Sequence, residues 1–267
     1  MPTVTVEGTT MNYVDVHAGT DGPPVVLLHA FPLHSGMWQA QLDSLAGRRR
    51  AIAPDLKGFG SSDAPDDESA YSMASYADEV AALLGTLDVD DVVVVGLSMG
   101  GYVAFSLLER HPALVRALVL ADTRAGRDSE EVLQRRSEQQ QQVREQGTVA
   151  VIDTLLDTLL SGHTQELRPE VVVEARRLMD NPSAGFVGAL EAMKSRPDAT
   201  GRLGTIEVPT LVLVGDHDQP SPPEVARAMH EQIPGSRFTV LPNSGHLTNL
   251  EVPDAFNQAL GDFLSEL

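Results

Sequence analysis

Val92-Val93-Val94-Val95-Gly96-Leu97-Ser98-Met99-Gly100-Gly101-Tyr102 is the stretch from which the rest of the chain can be understood. Four β-branched apolar residues in succession fit a strand buried on both faces. From Met99 to Arg110 the pattern turns helical, so Ser98 falls at the junction between strand and helix. A chain that turns this sharply strains the backbone at the junction. Side chains two positions before and after it would collide with the neighbouring strand and helix, and Gly96 and Gly100 stand at those positions. Gly-x-Ser-x-Gly in a strand-turn-helix setting is the pattern of an exposed nucleophilic serine.

Working outward, apolar runs of four to six residues recur at Val25 to Leu28, Arg50 to Ala53, Ala117 to Ala121, Thr210 to Val214 and Arg237 to Leu241. Helical patterns alternate with them at Ser72 to Leu87, Pro223 to Gln232 and Val252 to Leu264. Strand-helix alternation predicts a parallel sheet with helices on both faces. Thr3 to Val6 and Met11 to Val16 add an opening hairpin, giving an eight-stranded, mostly parallel, doubly wound α/β sheet. Ligands of such sheets sit beyond the carboxyl ends of the strands.

The alternation stops between Arg124 and Leu203, where 80 residues contain no strand candidate. Ile152, Leu155, Leu156, Leu159 and Leu160 follow the spacing of one helix face. Further helices are expected from Pro169 to Met179 and, after the Asn181-Pro182 break, from Ser183 to Lys194. Gln139 to Gln142 is read as a solvated helix face. The expected organisation is a core of residues 1–123 and 204–267 interrupted by a helical cap, residues 124–203.

Composition narrows the function. A chain of 267 residues with 42% hydrophobic content can bury a sizeable core. With a mean hydropathy of -0.09 and no apolar run near the length of a span, no membrane crossing is expected. A net charge of -19 would repel a phosphate backbone, so nucleic acid is not an expected partner. Asp63 to Asp91 holds nine acidic residues and no basic one, whereas residues 124–203 are nearly neutral, with 13 acidic and 11 basic. There is no cysteine, hence no disulfide, thiolate metal site or Cys nucleophile. Pro2-Thr3-Val4 lacks the features of a signal peptide, which makes a cytoplasmic location the expectation. No metal motif, complete dinucleotide fingerprint or phosphate loop is present, so no cofactor is expected.

A serine hydroxyl needs a base to take its proton and an acid to orient that base. His246 follows the last strand within Pro242-Asn243-Ser244-Gly245-His246, and Asp218 follows the preceding strand within Gly215-Asp216-His217-Asp218. The chain order Ser98, Asp218, His246 completes a triad. Asp122, at the end of the strand Ala117 to Ala121, is the alternative acid. Asp216 is read as a turn residue and His217 as a loop residue.

With these residues in place, the sequence from Val4 to Phe263 resembles an α/β-hydrolase. Leu28-His29-Ala30-Phe31-Pro32 is similar to the family's oxyanion loop, and the resemblance implies backbone N–H donors at Phe31 and Met99. It also implies that His29 braces this loop. Ala30 stands where glycine is commonest, and a positive φ there would be strained. Pro54-Asp55-Leu56-Lys57-Gly58-Phe59-Gly60-Ser61-Ser62 resembles a structural loop of the family, with Lys57 in place of the more usual arginine. Ser98 disfavours the branches that use an aspartate nucleophile.

The resemblance is strongest to 3-oxoadipate enol-lactone hydrolases and small carboxylesterases, which implies a serine hydrolase that cleaves a small ester or lactone through an acyl-enzyme. Trp38, Phe31, Met99 and Leu247 are expected along an apolar pocket, Phe186 and Met193 as cap contacts. Arg124 is the nearest cation for an anionic substrate. Carbon-carbon bond hydrolysis and cofactor-free perhydrolysis are alternatives on the same triad, and a non-catalytic ligand receptor is an alternative of another class.

Overall fold

The computed structural model describes residues 2–16 and 22–267. Its eight strands are β1 (Thr3–Val6), β2 (Thr9–Val16), β3 (Val25–Leu28), β4 (Ala51–Pro54), β5 (Val92–Leu97), β6 (Val115–Ala121), β7 (Thr210–Gly215) and β8 (Arg237–Leu241). They form one sheet in the order β1-β2-β4-β3-β5-β6-β7-β8. β1 and β2 are antiparallel, and the pairings from β4 across to β8 are all parallel. Burial explains the positions. Every residue of β3, β4, β5 and β7 is buried, as strands covered on both faces require, whereas β8 at the edge buries only Leu241 fully.

The strand order reverses between β3 and β5: the chain leaves β3 for β4 on one side and returns to β5 on the other. In open sheets of this kind such a reversal opens a crevice at the carboxyl ends of the two strands. Their next residues are His29-Ala30-Phe31 and Ser98.

Helices α1 (Gln39–Leu45), α2 (Met73–Thr86) and α3 (Met99–Arg110) belong to the first half of the core. α2 begins at Ser72, whose hydroxyl accepts from Ser75 N–H while the Ser75 hydroxyl accepts from Ser72 N–H. Between β6 and β7 the described chain contains only helices and connections: α4 (Glu130–Gln146), α5 (Val149–Leu159), α6 (Gly162–Leu167), α7 (Pro169–Leu178) and α8 (Ser183–Lys194). The apolar stripe from Ile152 to Leu160 is buried throughout. The glutamine run is only partly solvated, which corrects the sequence expectation. Gln140 is buried and donates to Val187 O of α8 at 3.0 Å, because α4 packs along α8. The second half of the core adds α9 (Pro223–Gln232), α10 (Thr248–Glu251) and α11 (Pro253–Leu264). Among the described residues no helix is long and apolar enough to cross a membrane.

The inserted helices meet the core through small residues. A Cβ on Gly185 of α8 would collide with the backbone of Gly58, and one on Gly188 with the Tyr71 ring. Neither neighbour is a flexible chain end. Gly261 of α11, by contrast, has open space around it. Gly185→Ala should therefore lower stability by about 1–3 kcal/mol through overpacking. Gly261→Ala should raise it by up to about 1 kcal/mol through helix propensity. Urea denaturation of both variants checks this, and equal effects would contradict the tight contact.

Candidate active site

Ser98 has φ 56° and ψ -113°, a left-handed backbone that a residue with a Cβ adopts only when its surroundings impose it. Its N–H donates to Ala121 O at 2.9 Å, and its carbonyl accepts from the Thr123 hydroxyl at 2.8 Å and from Gly101 N–H at 2.9 Å. The flanking glycines answer the steric demand read from the sequence. A Cβ at Gly96 would strike the backbone of Gly100, and one at Gly100 would strike Leu28 of β3.

Three residues separated in the chain meet beside this turn. Ser98 Oγ lies 2.7 Å from His246 Nε2, and His246 Nδ1 lies 2.8 and 2.9 Å from the two carboxylate oxygens of Asp218. The carboxylate side requires the proton on Nδ1, which leaves Nε2 to accept from the serine hydroxyl. Asp218 also accepts from Ser221 N–H at 2.8 Å. Asp218 and His246 are both buried, so the carboxylate acts on the imidazole in a poorly screened setting. A histidine held in this way can take a hydroxyl proton and return it to a leaving group.

Asp122, the alternative acid, is occupied elsewhere. One of its carboxylate oxygens accepts from Gly215 N–H at 2.9 Å and the other from the Thr248 hydroxyl. Complete burial, reinforced by the charge of Asp218, holds its carboxyl well above the usual carboxylate range. It braces β7 and α10, while Asp218 faces the imidazole. Asp216 lies in the turn and accepts from Ser244 N–H, and His217 is an exposed neighbour bonded to it.

At the end of β3 the loop is fixed by His29. Its Nε2 accepts from Leu56 N–H at 3.0 Å, so Nδ1 carries the proton and donates to Ala30 O, also at 3.0 Å. Ala30 is not among the residues with positive φ, and the strain anticipated for a residue other than glycine does not arise. The N–H groups of Phe31 and Met99 make no hydrogen bond among the described residues. Met99 is the first residue of α3, where helical N–H groups lack intrahelical partners. Phe31 lies in the loop that follows β3, and Met99 directly follows Ser98 in the chain.

A cavity of about 380 Å³ opens over these groups. Phe31, Ser98, His246, Arg124 and Met193 are among its walls. Trp38, Leu247 and Met99 are not, and the Met99 side chain is fully buried. Trp38 is wholly buried with its ring 5.9 Å from that of Phe256, and Leu247 is likewise enclosed, so both belong to the core. Phe186 is also off the wall. It backs Phe31, the ring centroids lying 4.5 Å apart.

No pattern in the sequence announces the contribution from α4, which brings Arg135, Arg136 and Gln139 to the cavity. Among the described residues Asp128 is the one acidic residue along the cavity wall, and it is shared by Arg136 at 2.7 Å and Arg196 at 2.9 Å. Burial alone would raise the Asp128 carboxyl, but the two guanidinium groups outweigh it and hold it below its ordinary value. Arg124 has no ion pair among the described residues. Asn181 was legible only as a turn, yet it accepts from Gly60 N–H at 2.7 Å and donates to Pro32 O at 2.8 Å, joining two core loops to the inserted helices. Among the described residues no group of three or more His, Asp or Glu side chains is placed to hold a metal ion.

The chain belongs to the α/β hydrolase fold family, whose model matches residues 23–253. Among solved structures it is similar to a thermophilic esterase from Thermogutta terrifontis, studied with malate bound. Identity is 36%, coverage is 99% of this chain and 98% of that one, and the TM-score is 0.93. Among curated proteins, 3-oxoadipate enol-lactonase 2 of Acinetobacter baylyi is 27% identical over 97% of this chain and 94% of its own. A putative 2-succinyl-6-hydroxy-2,4-cyclohexadiene-1-carboxylate synthase of Bacillus subtilis is 28% identical over 98% and 99%. The family thus joins esterase and lactonase relatives to one named for a different reaction.

Burial pushes the His29 imidazole from its ordinary 6.5 down to about 4, so the folded protein holds it neutral. The unfolded chain takes up this proton first. The stability His29 contributes is complete above pH 6.5 and is lost as pH falls toward 4, by about 3 kcal/mol in all. Urea denaturation between pH 7 and pH 4 should show that loss, and His29→Asn should flatten it; an unchanged slope would contradict the assignment.

Proposed function

We propose that the protein is a serine hydrolase of small carboxylic esters or lactones. The observation that carries this reading is the unbroken hydrogen-bond chain from Ser98 through His246 to Asp218, at the floor of an accessible cavity. Ser98 Oγ attacks the acyl carbonyl as its proton passes to His246 Nε2. Phe31 and Met99 N–H groups hold the oxyanion, where each such donor is worth about 3 kcal/mol in the transition state. Collapse of the tetrahedral intermediate breaks the acyl–oxygen bond, and His246 gives its proton to the departing alkoxide. Water then adds to the acyl-enzyme with His246 as base, which releases the acid and restores Ser98. Asp218 orients the imidazole and stabilises its charged form throughout. The helices of residues 124–203 serve as the cap, since α4, α5 and α8 supply much of the cavity wall.

The cavity charge narrows the substrate. On a chain of net charge -19, three arginines and a single aspartate among the described residues line the wall, and that aspartate is already paired. Arg136 is its partner and Arg135 lies 3.9 Å from the exposed Glu131, so Arg124 is left to meet an anion. An ester or lactone that also carries a carboxylate fits this arrangement, and the relative named as an enol-lactonase and the esterase studied with malate are consistent with it.

Ser98→Ala should abolish hydrolysis of a chromogenic short-chain ester and all labelling by a fluorophosphonate, with the circular dichroism spectrum unchanged. Retained turnover would refute the nucleophile, and tight ligand binding by an unlabelled wild type would favour a receptor. In a panel of esters, lactones and β-diketones compared by kcat/KM, faster turnover of the β-diketones would favour carbon-carbon cleavage. Arg124→Gln should reduce kcat/KM for a dicarboxylate monoester by about tenfold, the worth of one charge-assisted hydrogen bond. A neutral ester should be affected little, and an equal loss for both would refute the anion site.

A further inference from the structure

The loop that carries His246 is held almost wholly by groups outside itself. Gly245, His246 and Leu247 present three consecutive backbone N–H groups. Gly245 N–H and Leu247 N–H both donate to Oε1 of Glu251, at 2.9 and 3.2 Å, and His246 N–H donates to Leu159 O at the end of α5, at 2.8 Å. The other oxygen of Glu251 faces the opposite way. Oε2 accepts from Ser161 N–H at 2.9 Å and from the Thr164 hydroxyl at 2.7 Å, both in the inserted helices. Gly245 is a glycine for the same reason: a Cβ there would collide with the backbone of Leu159 to Ser161.

Glu251 is 1% exposed, and its two oxygens make four hydrogen bonds, two on each side. The group does not touch Ser98, and no step of the proposed chemistry uses it. A buried carboxylate in that position is retained only if the donors around it satisfy it, and here they come equally from the base loop and from the helical insertion.

We infer that Glu251 is a positioning residue for His246, one that joins the helical insertion to the base loop so that the insertion's seating sets the placement of the imidazole against Ser98. The inference rests on the triad reading above. It follows that this edge of the insertion is a fixed anchor. A displacement of α5 or α6 would pull on the Glu251 carboxylate and on His246 N–H together, and the 2.7 Å contact with Ser98 Oγ would be the first geometry lost.

The test compares Glu251→Gln, Thr164→Val and the double variant, reading kcat, KM, the rate constant for fluorophosphonate inactivation and Tm. Gln keeps the size of Glu251 but can offer an acceptor to only one side, so the protein should remain folded. We expect KM within about twofold of wild type while kcat and the inactivation rate fall together by about tenfold, a typical consequence of a small misplacement of a reacting group. Thr164→Val removes a donor from the insertion side alone and should reduce both rates by about threefold, with little further loss in the double variant, because the two changes break one connection. Unchanged rates in folded Glu251→Gln would overturn the inference. So would a lowered Tm with normal rates per folded molecule, or losses that multiply in the double variant. Ser98→Ala separates the two levels: if it abolishes labelling while Glu251→Gln is normal, only this inference fails, and if labelling survives in Ser98→Ala, the triad reading fails with it.

Discussion

The backbone of Ser98, at φ 56° and ψ -113°, is the constraint around which the molecule is arranged. Holding a residue other than glycine there costs on the order of 1–3 kcal/mol. The cost is offset by contacts that leave the turn no alternative. β5 is buried along its whole length between β3 and β6, α3 packs back on β3 and β5, and the Ser98 carbonyl is held by Thr123 and Gly101. A smoother turn would draw the hydroxyl down toward the sheet. The strain keeps it at the crevice, where the strand order reverses and the β3 loop comes alongside.

Around the imidazole the structure manages three buried carboxyl groups, and their partners give them different duties. Asp218 faces His246 and Ser221, Asp122 faces Gly215 and Thr248, and Glu251 divides its oxygens between the loop that carries His246 and the helices between β6 and β7. Only the first meets the imidazole. Burial and the neighbouring Asp218 push the Asp122 carboxyl above its ordinary range, because a second negative charge beside Asp218 is disfavoured. Along the cavity wall the arginines make the local charge opposite in sign to that of the protein as a whole. The paired carboxylate of Asp128 absorbs part of that charge, and Arg124 remains available.

The legible parts of the site were those set by short-range rules. Gly96 and Gly100 announce the turn at Ser98 because the collisions they avoid lie in the adjoining strand and helix. His246 and Asp218 could be singled out because each follows a strand on the same side of the sheet. What failed was the choice of side chains along the wall. Trp38 and Leu247 are apolar and near the right loops in sequence, but whether an apolar side chain faces a cavity or the core depends on how a helix is rotated when it packs. The glutamine run failed for the same reason. Gln140 looks solvated until α8 is placed against it, and Arg135, Arg136 and Gln139 become cavity residues only through the same docking.

The sequence by itself determined the alternation of strand and helix, the parallel sheet, the strained serine and the chain order of the three polar residues that meet there. Each follows from periodicity or from sterics over a few residues. Only the tertiary structure decided that Asp218 rather than Asp122 faces the imidazole, that the cavity is lined by arginines, and that Glu251 and Asn181 bind the inserted helices to the core loops. These are meetings of side chains dozens to hundreds of positions apart, and their partners are fixed by how packed elements are rotated and docked, which no local pattern encodes.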